Sequence, residues 1–529
     1  MDGIELALLT RRTQAICDEM GVVLRRTAFS PNIKDRLDYS CALFDARGEL
    51  FAQAAHIPVH LGSMAYAMAD VVATICWQPG DVAMFNDPYL GGTHLPDVTV
   101  VTPVFVGGHH VGFAANRAHH ADIGSDQPGS MPLSRTLAEE GVIIAPMLLL
   151  RDGEVPEEAA AVLARLSGDG DGDSGPGVDS VEGWQQRPQL ADFLAQLSSA
   201  RVGAKRMAEL VQSLGVTGFA AGVDAVNDYA ERLAREALAA LPFGEWYAED
   251  VLDGDGLGVM DVPIRVRITV AEEGVEVDFS GTGGQVGGNL NCPLSVAAAA
   301  VFYVFRCLMP AHTPATAGSF RPIRLRAPLG CLLNAERPAA VAAGNVETSM
   351  RVVDVLLKAL APALPDRIPA ASQGTMNNLA MGARGVDGDW DYYETLAGGT
   401  GAHAGGAGLH AVHSHMTNTL NTPVESLESH YPLQVERYAL RQGSGGAGQF
   451  PGGDGVVRVY RFLAPAQISL LTERRRHAPW GLAGGSDGAP GAAWLNDEPL
   501  PGKASFRVET GDVLRIETPG GGGYGVPEH

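Results

Sequence analysis

Apolar positions along the chain follow two periods in turn, and their alternation predicts an α+β protein of mixed β-sheets with packed helices in several layers. Leu6, Leu8, Leu9, Ile16, Met20 and Val23 recur near helical spacing over 3–27. That predicts an amphipathic N-terminal helix, since charges interrupt it too early for the apolar core of a signal peptide. Residues 40–53 (SCALFD-ARG-ELFAQ) read as a β-hairpin around a short glycine-containing turn. Leu61, Met64, Met68, Val71, Val72 and Ile75 mark a helix over 59–76. A strand follows at 80–87, then a buried strand at 98–106, a turn at 107–110 and a return strand ending near His119. The first 150 residues therefore read as a β-rich layer with helices against it.

Beyond them the pattern changes several times. The stretch 152–182 contains GDGDGDSGPGVDS, acidic, glycine-rich and aperiodic, and is expected to be an exposed loop. It lacks the spacing and terminal Glu of a calcium-binding EF-hand, so calcium is not expected there. Helical spacing returns over 189–241, hairpin signals over 262–280 and a helix over 294–309. The last quarter alternates strands (VVRVYRFL, AQISLLTER, DVLRIETP) with glycine-rich turns. The sub-regions predicted are 1–150, a β-rich region with candidate metal chemistry; 151–250, acidic loop and helices; 251–390, mixed; and 391–529, glycine-rich β.

Composition narrows the class. The 529 residues are 46% hydrophobic and 19% charged, enough to bury a real core. The net charge of −23 argues against nucleic acid or an anionic membrane as partner, because both need a basic footprint. No uninterrupted apolar run reaches the length of a membrane span. Six cysteines without a CxxC pair read as reduced thiols, and a cytoplasmic location is expected.

Familiar nucleotide and nucleophile motifs fail on context. GxGxxG occurs at Gly443–Gly448 and Gly520–Gly525, but neither match opens a helix, so both are expected to be tight turns. GxSxG at Gly484–Gly488 also lacks its helix, and no GxxxxGK[ST] or HExxH is present.

One constellation survives. Catalytic divalent metals commonly take imidazoles and a carboxylate while leaving positions open for water or substrate. His94 and Asp97 lie three apart on a loop that Gly91 and Gly92 allow to bend, and His119, His120 and Asp122 lie where the return strand ends. Antiparallel pairing through the turn at 107–110 brings the two ends together. His94, Asp97 and His119 are the predicted metal ligands. His120 alternates to the other strand face and is assigned to substrate or outer contacts, with Asp122 beside it. His109 and His110, at the opposite end, are expected to be exposed. A lone HxxD is usually a surface loop, and the hairpin is what raises this one above that reading.

Several longer blocks resemble the hydantoinase B/oxoprolinase family: RLDYSCALFDARGELFAQAAHIPVHLGSM, NDPYLGGTHLPDVTVV, RAHHADIG, DFSGTGGQVGGNLN, AAGNVETSMRVVD, NTPVESLE, LRQGSGGAGQFPGG and TPGGGGYG. They run in order from about residue 25 to 527, nearly the whole chain, which makes 1–529 one large family unit. The resemblance implies a B-type subunit of an ATP-dependent hydantoinase, 5-oxoprolinase or caprolactamase, whose A-type partner binds ATP and phosphorylates the substrate. It also implies that metal ligands fall in the blocks holding His94, Asp97 and His119, with zinc, manganese or iron all compatible. Asp38 in RLDYS is a candidate general base, although an Asp at a hairpin edge equally often caps a turn. Arg36 is as well placed to pair with Asp35 or Asp38 as to bind phosphate.

The expected activity is hydrolysis of cyclic amides. The alternatives are a subunit of an acetone- or acetophenone-type ketone carboxylase and a non-catalytic partner of an A-type subunit. Residues 166–184 depart from the family's usual run. Gly405 and Ala407 stand where relatives tend to carry an acidic residue, so no ligand or base is carried over from that stretch. His403, His410, His413 and His415 are read as loop and substrate-wall residues, because no carboxylate accompanies them.

Overall fold

The N-terminal helix forms where its apolar period predicts. In the computed structural model, which describes residues 2–54, 56–168, 177–384 and 389–527, α1 spans Gly3–Thr27. Asp2 caps it, accepting from the Ile4 and Glu5 amides while the Glu5 carboxylate reaches back to the Asp2 amide. The chain divides into two compact units, each assembled from separated segments.

The first unit (1–124, 141–240 and 305–324) is built on one antiparallel sheet. Its strands are β1 (Tyr39–Asp45), β2 (Leu50–Gln53), β3 (Val82–Phe85), β4 (Asp97–Val106), β5 (His109–His119) and β6 (Met147–Leu150), in the spatial order β2-β1-β5-β4-β3-β6. The two-residue period sorts side chains between its faces. Tyr39, Cys41 and Leu43 join the apolar cluster of α1, α3 (Ala191–Leu214) and α4 (Val216–Ala239). Ala42, Phe44 and Phe113 face the other way, onto Met64, Met68 and Val71 of α2 (Pro58–Ala73). Burying Phe44 and Phe113 contributes about 2–3 kcal/mol apiece, before the entropy of ordering them is set against it.

The second unit (125–140, 241–304 and 325–529) contains an antiparallel succession β7 (Gly244–Gly254), β8 (Met260–Ala271) and β9 (Gly274–Asp278). A four-stranded sheet is built on Asn378–Ala383 and Ala466–Leu471, and a five-stranded sheet on Leu433–Arg441, Gly455–Phe462 and Val513–Glu517. A π-helical turn, Gly344–Thr348, leads into the helix Ser349–Leu360 and carries the fully buried Glu347. The whole is α+β, as expected. No helix among the described residues is long and apolar enough to cross a membrane.

Three expectations change, and one strand, β7, had no counterpart in the pattern. The stretch 152–182 is not all loop, since it holds a helix at Glu157–Leu166, and its acidic, glycine-rich centre at 169–176 lies outside the described residues. β7 carries too many acidic residues to read as a strand from pattern, yet it pairs with β8 along most of its length. His110 is half-buried, between the rings of Phe105 and Phe113, while His109 is exposed.

The two GxGxxG segments are more than turns. Of their glycines only Gly443 and Gly525 have positive φ. The others let backbones touch: a Cβ on Gly446 would stand 2.1 Å from the Ser486 carbonyl oxygen, and one on Gly521 would stand 2.0 Å from that of Thr400. Hydrogen bonds from Gly446 to Gly521, from Gly521 to Gly453 and from Gly523 to Ser486 knit these extended runs together.

Candidate metal centre

The loop from Asn86 to Asp97 is held from inside. Asn86 donates to the Leu95 and Val142 carbonyls and accepts from the Ile144 amide. Asp87 caps the 3₁₀ turn Pro88–Leu90, and the chain then bends at Gly91, with φ 105°. Gly92 follows so close to the returning backbone that a Cβ there would lie 2.2 Å from the Asn86 carbonyl oxygen. This bend sets His94 against Asp97, whose amide bonds the His94 carbonyl at 3.1 Å.

Asp97 opens β4, and its register partner across the ladder is His119, the last residue of β5. The result is a buried cluster. Asp97 Oδ1 lies 3.2 Å from His94 Nε2 and 3.3 Å from His119 Nδ1, and none of the three residues is more than 2% exposed. One ligand atom from each can be chosen so that all lie within 4.8 Å of one another, and this is the only such group of three found among the described residues.

A fourth side chain enters from the first turn of α2. His60 Nε2 lies 3.2 Å from Asp97 Oδ2, the oxygen that also accepts from the Thr93 hydroxyl at 2.6 Å. Asp38 approaches from the segment before β1, 3.9 Å from His60 Nε2, and its main-chain carbonyl accepts from the His119 amide at 3.0 Å. Its side chain keeps 10% exposure, against 0–3% for the three histidines and Asp97. Arg36 lies 3.9 Å from Asp38 rather than standing apart from it.

Arg117, two residues before His119, ties these segments together. It is fully buried and donates to the Thr99 hydroxyl on β4, to the Ser63 hydroxyl on α2 and to the Gly91 carbonyl in the bend. Burial pulls its guanidinium down to about 10.

Electrostatics favour a metal-binding protonation state. Burial alone pushes the Asp97 carboxyl up, but His60, His94 and His119 outweigh it and hold the group well below the usual carboxylate range. Burial lowers His119, whose ring stays neutral with a lone pair to give. Imidazole and carboxylate donors suit a divalent ion, and donors bound at about 2.1 Å around one ion stand roughly 3–3.5 Å apart. The separations from Asp97 Oδ1, 3.2 Å to His94 and 3.3 Å to His119, meet that test, so these side chains fit a divalent metal ion.

The remaining candidates separate from the cluster. His120 lies on the opposite face, where Nε2 meets Gln196 Oε1 at 2.9 Å and the ring packs on Phe193 of α3. Asp122 is exposed and accepts from the Gly124 amide in a local turn. Among the later histidines, carboxylates do stand near two: His410 lies 3.6 Å from Asp454, and His415 lies 3.8 Å from Asp354.

A model of hydantoinase B/oxoprolinase matches residues 2–527. The chain belongs to the hydantoinase B/oxoprolinase family. It is 39% identical to 5-oxoprolinase 1 of Arabidopsis thaliana over 99% of its own length, which spans 42% of that relative. The ATP-dependent caprolactamase of Pseudomonas jessenii superposes with a TM-score of 0.89 at 26% identity, covering 99% of this chain and 91% of that one. A nucleotide-free acetone carboxylase shares the fold, with a TM-score of 0.82 at 17% identity over 99% and 76% of the two chains.

In this hydantoinase B/oxoprolinase chain, pattern reading missed His60, Ser63 and Arg117. The HIPVHLGS run held a signal, two histidines four apart at a helix start, but nothing local says which hairpin that helix covers.

Proposed function

We propose that this chain is the catalytic B-type component of an ATP-dependent hydrolase of cyclic amides: hydantoins, N-methylhydantoins, 5-oxoproline or lactams. In this reading a separate A-type partner uses ATP to phosphorylate the substrate, and the chain described here completes ring opening. The observation that carries it is the convergence of His94, Asp97 and His119 on one buried point in a chain similar throughout to 5-oxoprolinase. The site assignments, the partner and the substrate are all part of the proposal.

The division of labour follows from amide chemistry. Resonance removes the electrophilicity of a lactam carbonyl, and O-phosphorylation restores it while supplying a leaving group. A zinc, manganese or iron ion held by His94, Asp97 and His119 would polarise an oxygen or lower the pKa of water toward about 7. The chain's own residues do the rest. His60 and Thr93 orient the Asp97 carboxylate by holding its second oxygen. Asp38, the most exposed carboxylate of the cluster, is placed to take the proton from attacking water. Burial of the whole group excludes bulk solvent from the reacting carbonyl.

The likeness to acetone carboxylase is at the level of fold and does not favour carboxylation. The test is ATP turnover by the chain reconstituted with an A-type partner, against hydantoin, 5-oxoproline, caprolactam, and acetone with bicarbonate. Stimulation by at least one cyclic amide, with the opened ring as product, is expected. Stimulation by acetone and bicarbonate alone, or by nothing offered, overturns the proposal.

A further inference from the structure

A cavity of about 660 Å³ lies in the first unit, between the N-terminal half of α1, the end of β2, α4 and residues 311–316. It shares no residue with the His94–Asp97–His119 cluster, and its volume falls within the range of small-molecule sites. Part of its wall is apolar, from Leu6 of α1 and Phe51 and Ala54 at β2.

Its charge is unusual for this chain. The protein carries 61 acidic residues against 38 basic ones, yet among the described residues the cavity is lined by Arg11, Arg306 and His312 and by no Asp or Glu. Arg306 is half-buried, and its guanidinium donates to the main-chain carbonyls of Pro310, Ala311 and Thr313 at 2.7–3.3 Å. Carbonyls satisfy its N–H groups without cancelling its charge. Arg11 donates to the neutral Gln14 side chain at 3.5 Å. Among the described residues neither arginine has a carboxylate partner, and the acids of the first helical turn, Asp2 and Glu5, are engaged in the capping box.

Two hydroxyls of the same wall reinforce the picture. Thr313 and Thr316 are each 2% exposed, and neither Oγ1 has a hydrogen-bond partner among the described residues. Uncompensated guanidinium charge beside buried hydroxyl donors is the chemistry that takes up an oxyanion, and the apolar wall suits an organic body attached to it.

We propose that this cavity binds a small organic anion, a carboxylate or phosphate ester on an apolar body, through Arg11 and Arg306. Oxyanion charge is common to both sources, and the probes separate them. The full chain is titrated calorimetrically with benzoate, with phenyl phosphate and with benzamide, the neutral isostere of benzoate. Saturable binding of at least one anion but not of benzamide is expected, and the anion preferred tells carboxylate from phosphate. Arg11→Gln, on an exposed helix face, weakens that binding by about tenfold or more, the loss of one charge-assisted hydrogen bond. Arg306→Gln does the same wherever the 310–313 turn survives, and Ala7→Trp abolishes binding by filling the cavity. Binding of neither anion, equal binding of benzamide, or unchanged affinity in Arg11→Gln and Ala7→Trp overturns the proposal. So does binding that is lost in His94→Ala instead, since that places the anion at the other cluster.

Discussion

Asp97 and His119 stand directly opposite each other across the β4–β5 ladder, with 3.3 Å between carboxylate oxygen and ring nitrogen. Two donors of the candidate centre are thus set by backbone register, and the third, His94, by a turn closed on the Asp97 amide. A site placed by main-chain geometry can lose a side chain and keep its frame, so binding and folding can be measured separately.

Removing a donor is expected to remove metal and leave the fold. His94→Ala and His119→Ala, measured by plasma mass spectrometry after metal loading, should fall to trace occupancy with unchanged circular dichroism. Turnover of the reconstituted enzyme should drop by at least about a hundredfold, the several kcal/mol that a Lewis acid supplies. Full occupancy in either variant would remove that residue from the ligand set.

His60 and His120 should part company. His60 supports Asp97 from outside, so His60→Gln is expected to weaken metal affinity by about 10–100-fold at near-native stability. His120 packs on Phe193 and bonds Gln196, so His120→Ala should cost about 2 kcal/mol of stability and leave affinity alone. Competition with a chelator and a denaturant melt distinguish the two, and a His120 effect on affinity alone would reverse their roles.

Arg117 joins β4, α2 and the Gly91 bend through three hydrogen bonds, two of them buried and the one to Gly91 half-buried. Arg117→Met strands those acceptors and should lower unfolding free energy by about 3–5 kcal/mol. Arg117→Lys recovers only part, because a single ammonium cannot reproduce the planar fork. Urea unfolding decides this, and a lysine variant as stable as the native chain would show that the fork is not required.

Glu347 gives the stability a slope with pH. Burial, first, and the neighbouring Glu473 raise its carboxyl from 4.5 to about 8 against the opposing pull of Thr375 and Lys503. Between those values the folded chain holds a proton that the unfolded chain has released. Stability from this group is therefore complete below about pH 4.5 and is lost as pH rises to about 8. Glu347→Gln keeps an acceptor for the Met376 amide and the Asn378 side chain, and should flatten that slope. An identical slope in both proteins, read from denaturant midpoints across that window, would assign it to other groups.

Glycine contacts predict a sharp contrast. Gly521→Ala sets a methyl 2.0 Å from the Thr400 carbonyl oxygen and should cost about 3 kcal/mol or more. Gly287 is exposed with nothing within 4 Å of its Cβ position, and Gly287→Ala should change stability by less than about 1 kcal/mol. Equal melting temperatures would mean that the glycine runs can spread at little cost.

What the sequence revealed about the centre was what local pattern controls. The alternation of 98–106, the glycine turn and the return strand place Asp97 against His119 because antiparallel pairing leaves little choice. The opposite facing of His120 followed from the same period. His60, Ser63 and Arg117 were illegible for the complementary reason: they meet the hairpin only once α2 has packed on the sheet, and no local period encodes that contact. Asp122 was drawn in by proximity in sequence, and its exposed turn separates it. The glycine blocks were read as turns because glycine most often marks positive φ, whereas here most of them serve close approach between distant segments.

Those interlocked glycine runs also bear on the order in which the second unit assembles. They carry almost no apolar side chain to drive collapse, and their hydrogen bonds join residues tens of positions apart or, from Ala402 to Gly522, more than a hundred. Such contacts come late, after shorter loops have closed and the neighbouring sheets can hold the strands side by side. This interleaved backbone is thus the part of the unit that sets late, and during synthesis it must wait for residues 520–525 to emerge.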